Sequence, residues 1–118
     1  MQPMTPKNHG EQRPEAKIQK AIVKMLTNLG WMAKATHGNA YSRGWPDIFA
    51  SHRDFGHRWI EVKLPDMKGS KYTAAQLEWF PRFMAARSGV WVLTAATDTE
   101  YLKLFDKPNW VYYLDVFK

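Results

Sequence analysis

Two acids and a lysine stand inside two short apolar runs of this sequence. Asp47 opens DIFASHR, residues 47–53, and Glu61 and Lys63 lie within HRWIEVKL, residues 57–64. Carboxylate oxygens suit a hard divalent cation such as Mg²⁺ or Mn²⁺, which keeps waters and takes up phosphate oxygens. Such an ion lowers the pKa of a bound water and stabilises charge on a phosphodiester. A nearby ammonium would hold the attacking water or balance the developing negative charge. The competing explanation is a cross-strand ion pair of Asp47 with Lys63 on a solvated sheet face.

Register decides whether these charges can meet at all, because side chains alternate faces along a strand. Asp54-Phe55-Gly56 reads as a three-residue hairpin loop with Gly56 in the left-handed position. That loop pairs Arg53 with His57, Phe49 with Glu61 and Asp47 with Lys63. The three charged residues then share one face, with Glu61 diagonal to Asp47 at about 7–8 Å. Ile60, Val62 and Leu64 turn to the other face, into the core. A loop of two or four residues would separate the acids.

The surrounding elements must hold this hairpin. PEAKIQKAIVKMLTNLG, residues 14–30, predicts a first helix: Ile18, Ile22, Met25, Leu26 and Leu29 recur at helical spacing, Pro14 suits the first turn and Gly30 the C-terminal cap. Residues 31–36 predict a first strand, and 37–44 a polar, glycine-bounded loop. PDMKGSKY, residues 65–72, is a second polar loop. Residues 73–89 predict a second helix with capping-box spacing between Thr73 and Gln76, a stop at Gly89, and a kink or break at Pro81. Residues 90–95 predict a buried strand, 97–105 a short helix, and 110–117 a last strand or extended segment. The order is α-β-β-β-α-β-α(-β). No internal repeat, low-complexity tract or glycine-rich phosphate loop interrupts it.

Glu15, GWPD at 44–47, IEVK at 60–63 and Gln76 together resemble the VRR-Nuc family of the PD-(D/E)xK nuclease superfamily, over about residues 14–95. That family often has a small or threonine-like residue before Pro-Asp, where this chain has Trp45. The resemblance implies a restriction-endonuclease-like core, a central mixed sheet flanked by helices with the site at one sheet edge against the first helix. It implies that Asp47 and Glu61 ligate Mg²⁺ or Mn²⁺ with the Val62 carbonyl, and that Lys63 is catalytic. Glu15 would be the metal-site acid supplied by the first helix, often acting through water, and Gln76 a support from the second, near Lys63 or a phosphate. It also implies hydrolysis of DNA to a 5′-phosphate product. Each of the outer two has an ordinary explanation as well: a first-turn Glu15 is favoured by the helix dipole, and Gln76 completes a cap on Thr73.

Other residues qualify as substrate contacts. His37, Asn39, Tyr41, Ser42 and Arg43 of the first loop could line a DNA groove, Arg43 touching phosphate. Lys68 and Lys71 add positive charge beside the start of the second helix. His52 and His57 flank the turn and are expected in solvent. Trp45, Trp59, Trp79, Trp91 and Trp110 read as core or interface, and Trp79, Phe80, Tyr112 and Tyr113 suggest a dimer surface.

Composition sets the bounds. The 118 residues suffice for one domain, 13–118, behind a loose tail at 1–12. Apolar content of 45% is too high for a disordered chain. The lack of cysteine excludes disulfides, thiolate metal sites and cysteine nucleophiles, and fits a reducing cytoplasm. No apolar run approaches the roughly 20 residues of a membrane span. A net charge of +6 favours an anionic partner. The expected partner is DNA, branched in the sense of a four-way (Holliday) junction bound by a homodimer, with flap or single-strand nicking and non-catalytic DNA binding as alternatives.

Overall fold

The computed structural model describes residues 14–36, 43–65 and 70–115, so the tail at 1–12 lies outside the described residues. Helix α1 (Pro14–Asn28) is followed by strands β1 (Met32–Ala35), β2 (Ile48–His52) and β3 (Gly56–Val62), helix α2 (Ala74–Ala85), strand β4 (Val90–Leu93) and helix α3 (Asp98–Leu102). The sheet order is β1-β2-β3-β4; β1–β2 and β2–β3 are antiparallel and β3–β4 parallel. This is the expected mixed sheet with helices on both faces.

On one face α1 buries Ile22 and Leu26 against Ile48, Ala50, Ile60 and Val62. On the other, α2 brings Phe80 and Phe83 onto Val90 and Val92, with Tyr72 and Trp110 alongside. All four residues of β4 are buried, as a strand covered on both faces requires. Leu29 falls off the α1 stripe and is exposed. Helix α1 stops as its sequence predicts: Gly30 takes φ 94°, the Trp31 N–H donates to the Leu26 carbonyl at 2.9 Å and the Gly30 N–H to that of Thr27 at 3.1 Å.

Three expectations about element ends are corrected. Pro81 does not split α2, which runs unbroken from Ala74 to Ala85 because Phe80 and Phe83 anchor it on either side of the lost hydrogen bond. That helix ends before Gly89, and the left-handed residue is Arg87, at φ 64°. The Ser88 N–H donates to the Phe83 carbonyl at 2.7 Å and the Arg87 N–H to that of Met84 at 3.0 Å, the same closing pattern with an arginine where glycine is usual. The segment read as a last strand coils instead into a 3₁₀ turn, Val111–Tyr113, because Trp110 and Tyr113 must both turn into the α2-side core.

The free edge of β4 is closed by a side chain. Asn109 Oδ1 accepts the Val92 N–H at 2.6 Å and its Nδ2 donates to the Val92 carbonyl at 3.2 Å. Among the described residues no helix is long and apolar enough to cross a membrane.

Candidate active site

The hairpin loop has the expected length but sits one residue earlier. Arg53-Asp54-Phe55 form the turn, and Gly56, at φ 83°, pairs with His52 as the first residue of β3. Local bonds select this placement: the Asp54 N–H donates to His52 Nδ1 at 3.0 Å, and Arg58 Nη1 donates to the carbonyls of Phe55 and His57, each at 2.9 Å. His52 is therefore not a solvent residue; it is half-buried, its ring 5.1 Å from Trp31 and 4.5 Å from Phe55. His57 is exposed as expected.

Phe49 consequently pairs with Trp59 rather than Glu61, and one further step of the ladder brings Asp47 level with Glu61 rather than Lys63. The partners change but the parity does not. Asp47, Glu61 and Lys63 share a face, while Ile60 and Val62 are fully buried on the opposite one.

That shared face is not solvated. Glu61 is 2% exposed and Lys63 3%, both beneath the start of α2. The site thus lies at the end of the central β2–β3 pair, on the α2 side, rather than at a sheet edge against α1. A solvated ion pair of Asp47 with Lys63 is excluded by this burial. The lysine pairs with Glu61 instead, Nζ to Oε2 at 3.2 Å.

Asp47 is fixed through its other neighbours. Its Oδ2 accepts the Val62 N–H at 2.8 Å, and its carbonyl accepts the Thr36 N–H at 2.8 Å. The preceding Gly44 shows why GWPD must open with glycine. At φ 86°, a Cβ there would lie 2.6 Å from the Ala75 carbonyl oxygen and 2.8 Å from Trp79 Cδ1. The loop presses against the first turn of α2, and Trp45 wedges between Trp59, Trp79 and Phe83.

Gln76 joins helix and site. Its Oε1 accepts the Thr73 N–H at 3.0 Å while Thr73 Oγ1 accepts the Gln76 N–H at 3.0 Å, closing the predicted capping box. The same Oε1 accepts from Lys63 Nζ at 3.2 Å, and Nε2 donates to Glu61 Oε2 at 2.8 Å. The cap and the site support are thus one side chain. Lys63 Nζ also donates to the Lys71 carbonyl at 2.7 Å, and lies 5.2 Å from the centre of the Tyr72 ring.

Glu15 reaches the site through a residue the sequence did not single out. Ser70 Oγ donates to Glu15 Oε2 at 2.5 Å and accepts the Leu64 N–H at 2.8 Å, tying α1 to the end of β3. A serine in a polar loop carries no signal of this. Among the described residues no three His, Asp or Glu side chains stand close enough to share one metal ion. Asp47 and Glu61 form the acidic pair, and Glu15 acts on it at a distance.

The electrostatics of the pair are set by burial. Burial pushes the Asp47 carboxyl above its ordinary value, against the pull of the Val62 N–H and the Lys63 ammonium, and Glu15 adds to the rise. Glu61 is pushed well above its ordinary value by complete burial and then by Asp47, with Lys63 and Gln76 opposing. Glu61 Oε1 is a buried polar atom with no hydrogen-bond partner among the described residues. An orphaned carboxylate oxygen beside a second acid marks a place short of positive charge.

Of the expected substrate contacts, Arg43 and Lys71 are exposed beside this site. His37, Asn39, Tyr41, Ser42 and Lys68 lie outside the described residues. The tryptophan expectation holds, with Trp91 and Trp110 buried and Trp45, Trp59 and Trp79 packed on the α2-side core. The suggested dimer surface is not exposed as a unit, since Phe80 is fully buried and Tyr113 belongs to the same core.

No protein-family model matches the chain, and no curated protein does. A solved structure titled "VRR_NUC domain" does match. It is 22% identical, covers 77% of this chain and 95% of its own, and superposes with a TM-score of 0.59. The chain has the fold of that domain.

Proposed function

We propose that this chain is a VRR-Nuc nuclease, a metal-dependent endonuclease that hydrolyses phosphodiester bonds in DNA. One observation carries the reading: Glu61 Oε1 is buried without a partner beside Asp47, while Lys63 is fixed 3.2 Å from the other oxygen of Glu61. Two acids, Glu61 fully buried and Asp47 half-buried, whose protonation is favoured by their surroundings, fit a hard divalent cation, Mg²⁺ or Mn²⁺, held by Asp47, Glu61 and the Val62 carbonyl. A bound ion would supply positive charge for the phosphodiester and acidify a water.

The chain's own groups do the rest. Gln76 Oε1 and the Lys71 carbonyl hold the Lys63 ammonium at a fixed place. An arriving phosphate or water meets a pre-oriented cation there, which lowers the reorganisation needed as negative charge builds on the phosphorus oxygens. Ser70 and Glu15 brace the end of β3 from the α1 side, and Glu15 adds negative potential that favours a cation at Asp47. Arg43 and Lys71 are exposed cations for the DNA backbone, and Tyr41, Ser42 and Lys68 are proposed as further backbone contacts. The product carries a 5′-phosphate.

Branched DNA is the proposed substrate. A homodimer would set two such sites on two strands, which suits a four-way junction. Incubation with labelled junction, flap, single-stranded and duplex DNA, in Mg²⁺, Mn²⁺ or EDTA, tests the reading. Metal-dependent cleavage abolished in Asp47→Asn supports it. Absence of metal-dependent cleavage of all four substrates rejects it, and metal-independent DNA binding would then leave a non-catalytic binding module.

A further inference from the structure

The sheet face that carries Asp47 and Glu61 continues past them. Alternation places Met32 and Lys34 of β1, Phe49 and Ser51 of β2, and His57 and Trp59 of β3 on that same face. Helix α2 lies over its β3–β4 half. The β1–β2 half stays partly open: Met32 is 65% exposed, Lys34 and His57 are exposed, and Phe49 and Trp59 are half-buried.

The open half has a definite chemistry. The Phe49 ring stacks with that of His57, centroids 6.0 Å apart and planes 25° from parallel, and packs on Trp59 at 4.9 Å. Lys34 stands directly opposite Phe49 in the ladder. Among the described residues Lys34 has no carboxylate partner. Half-exposed rings beside an unneutralised ammonium are how proteins hold an unpaired base, the ring taking its face and the ammonium its phosphate. An apolar protein partner would have to desolvate Lys34 and pair it.

On the nuclease reading above, we infer that this face is a subsite for an unpaired nucleotide of the substrate next to the phosphate that is cut. Phe49 and His57 offer the stacking surface and Lys34 the backbone contact. Phe49 lies two residues along β2 from Asp47, about 7 Å on the same face, so the base held there belongs to a nucleotide adjoining the site. Bases stacked inside a continuous duplex cannot reach these rings without being extruded. The enzyme therefore requires, or opens, unpaired nucleotides beside its cut.

Fluorescence anisotropy of the full chain in EDTA, with a short labelled oligothymidylate and with a blunt duplex of equal length, tests this without cleavage. Phe49→Leu, which keeps an apolar side chain and removes the ring, is expected to weaken oligothymidylate binding about five-fold or more and duplex binding less than two-fold. Lys34→Glu, at an exposed position, is expected to weaken oligothymidylate binding about ten-fold and to reduce its salt dependence. Both variants unchanged for oligothymidylate would overturn the inference. So would a wild-type dimer that Met32→Lys dissociates, since a second copy would then occupy the face. Binding lost in the variants with no cleavage of any substrate keeps this surface and rejects the nuclease reading; cleavage with both variants binding as wild type does the reverse.

Discussion

Lys63 is held by Glu61, Gln76 and the Lys71 carbonyl at once, and this fixes what its removal should do. Lys63→Ala is expected to reduce single-turnover cleavage at least about 100-fold. It should also lower stability by roughly 3 kcal/mol, since Glu61 would be left buried beside Asp47 without its cation. Adding Glu61→Gln should restore part of that stability, read by urea denaturation, and none of the cleavage. The acids give a second prediction, whose sign follows from their raised pKa values. Ordinary values are 3.8 for Asp47 and 4.5 for Glu61, and both rise in the fold. The folded chain then keeps protons that the unfolded chain releases, so this contribution to metal-free stability is fullest below about pH 4 and fades as pH climbs through the raised values. The Tm of Glu61→Gln minus that of wild type, in EDTA, should therefore grow from pH 4 to pH 8. A constant difference would show that Glu61 titrates alike in both states.

At the scale of elements, Gly44 and Arg87 are positions where backbone conformation decides. Gly44→Ala drives a methyl into the Ala75 carbonyl and strains a positive φ, and is expected to cost about 2 kcal/mol or more, with cleavage falling as the GWPD loop lifts from α2. Arg87→Gly relieves a left-handed arginine and is expected to raise stability by roughly 1 kcal/mol in the same denaturation assay. The two residues also show what was legible beforehand. The three helices, the hairpin and the capping box were readable, because periodicity and cap chemistry are local. The shared face of Asp47, Glu61 and Lys63 was readable because it needs only the parity of the loop, which its three-residue length preserves. The pairing itself was not. The spacing puts Gly56 in the turn, and only the Arg58 and His52 bonds to the turn backbone place it in β3. Nor was the burial of Glu61 and Lys63 readable, since a Glu-x-Lys strand suggests water and only the docking of α2 removes it. Ser70 bridges residues 55 apart in sequence, a contact that no local pattern encodes.

For the molecule as a whole, the sheet is the unit that matters, and its two edges are unequal. Asn109 offers Val92 both bonds that a neighbouring strand would make. Asn109→Ala is expected to cost about 1–2 kcal/mol by orphaning the N–H of buried Val92, and to make the chain associate with rising concentration in sedimentation velocity, because the β4 edge then has an unpaired position. In the native chain β1 has no further strand beside it among the described residues. An edge that pairs with its own copy is used up by that pairing. With the outward groups of Val92 already paired, strand addition through β1 alone has a valency of one and ends at two molecules.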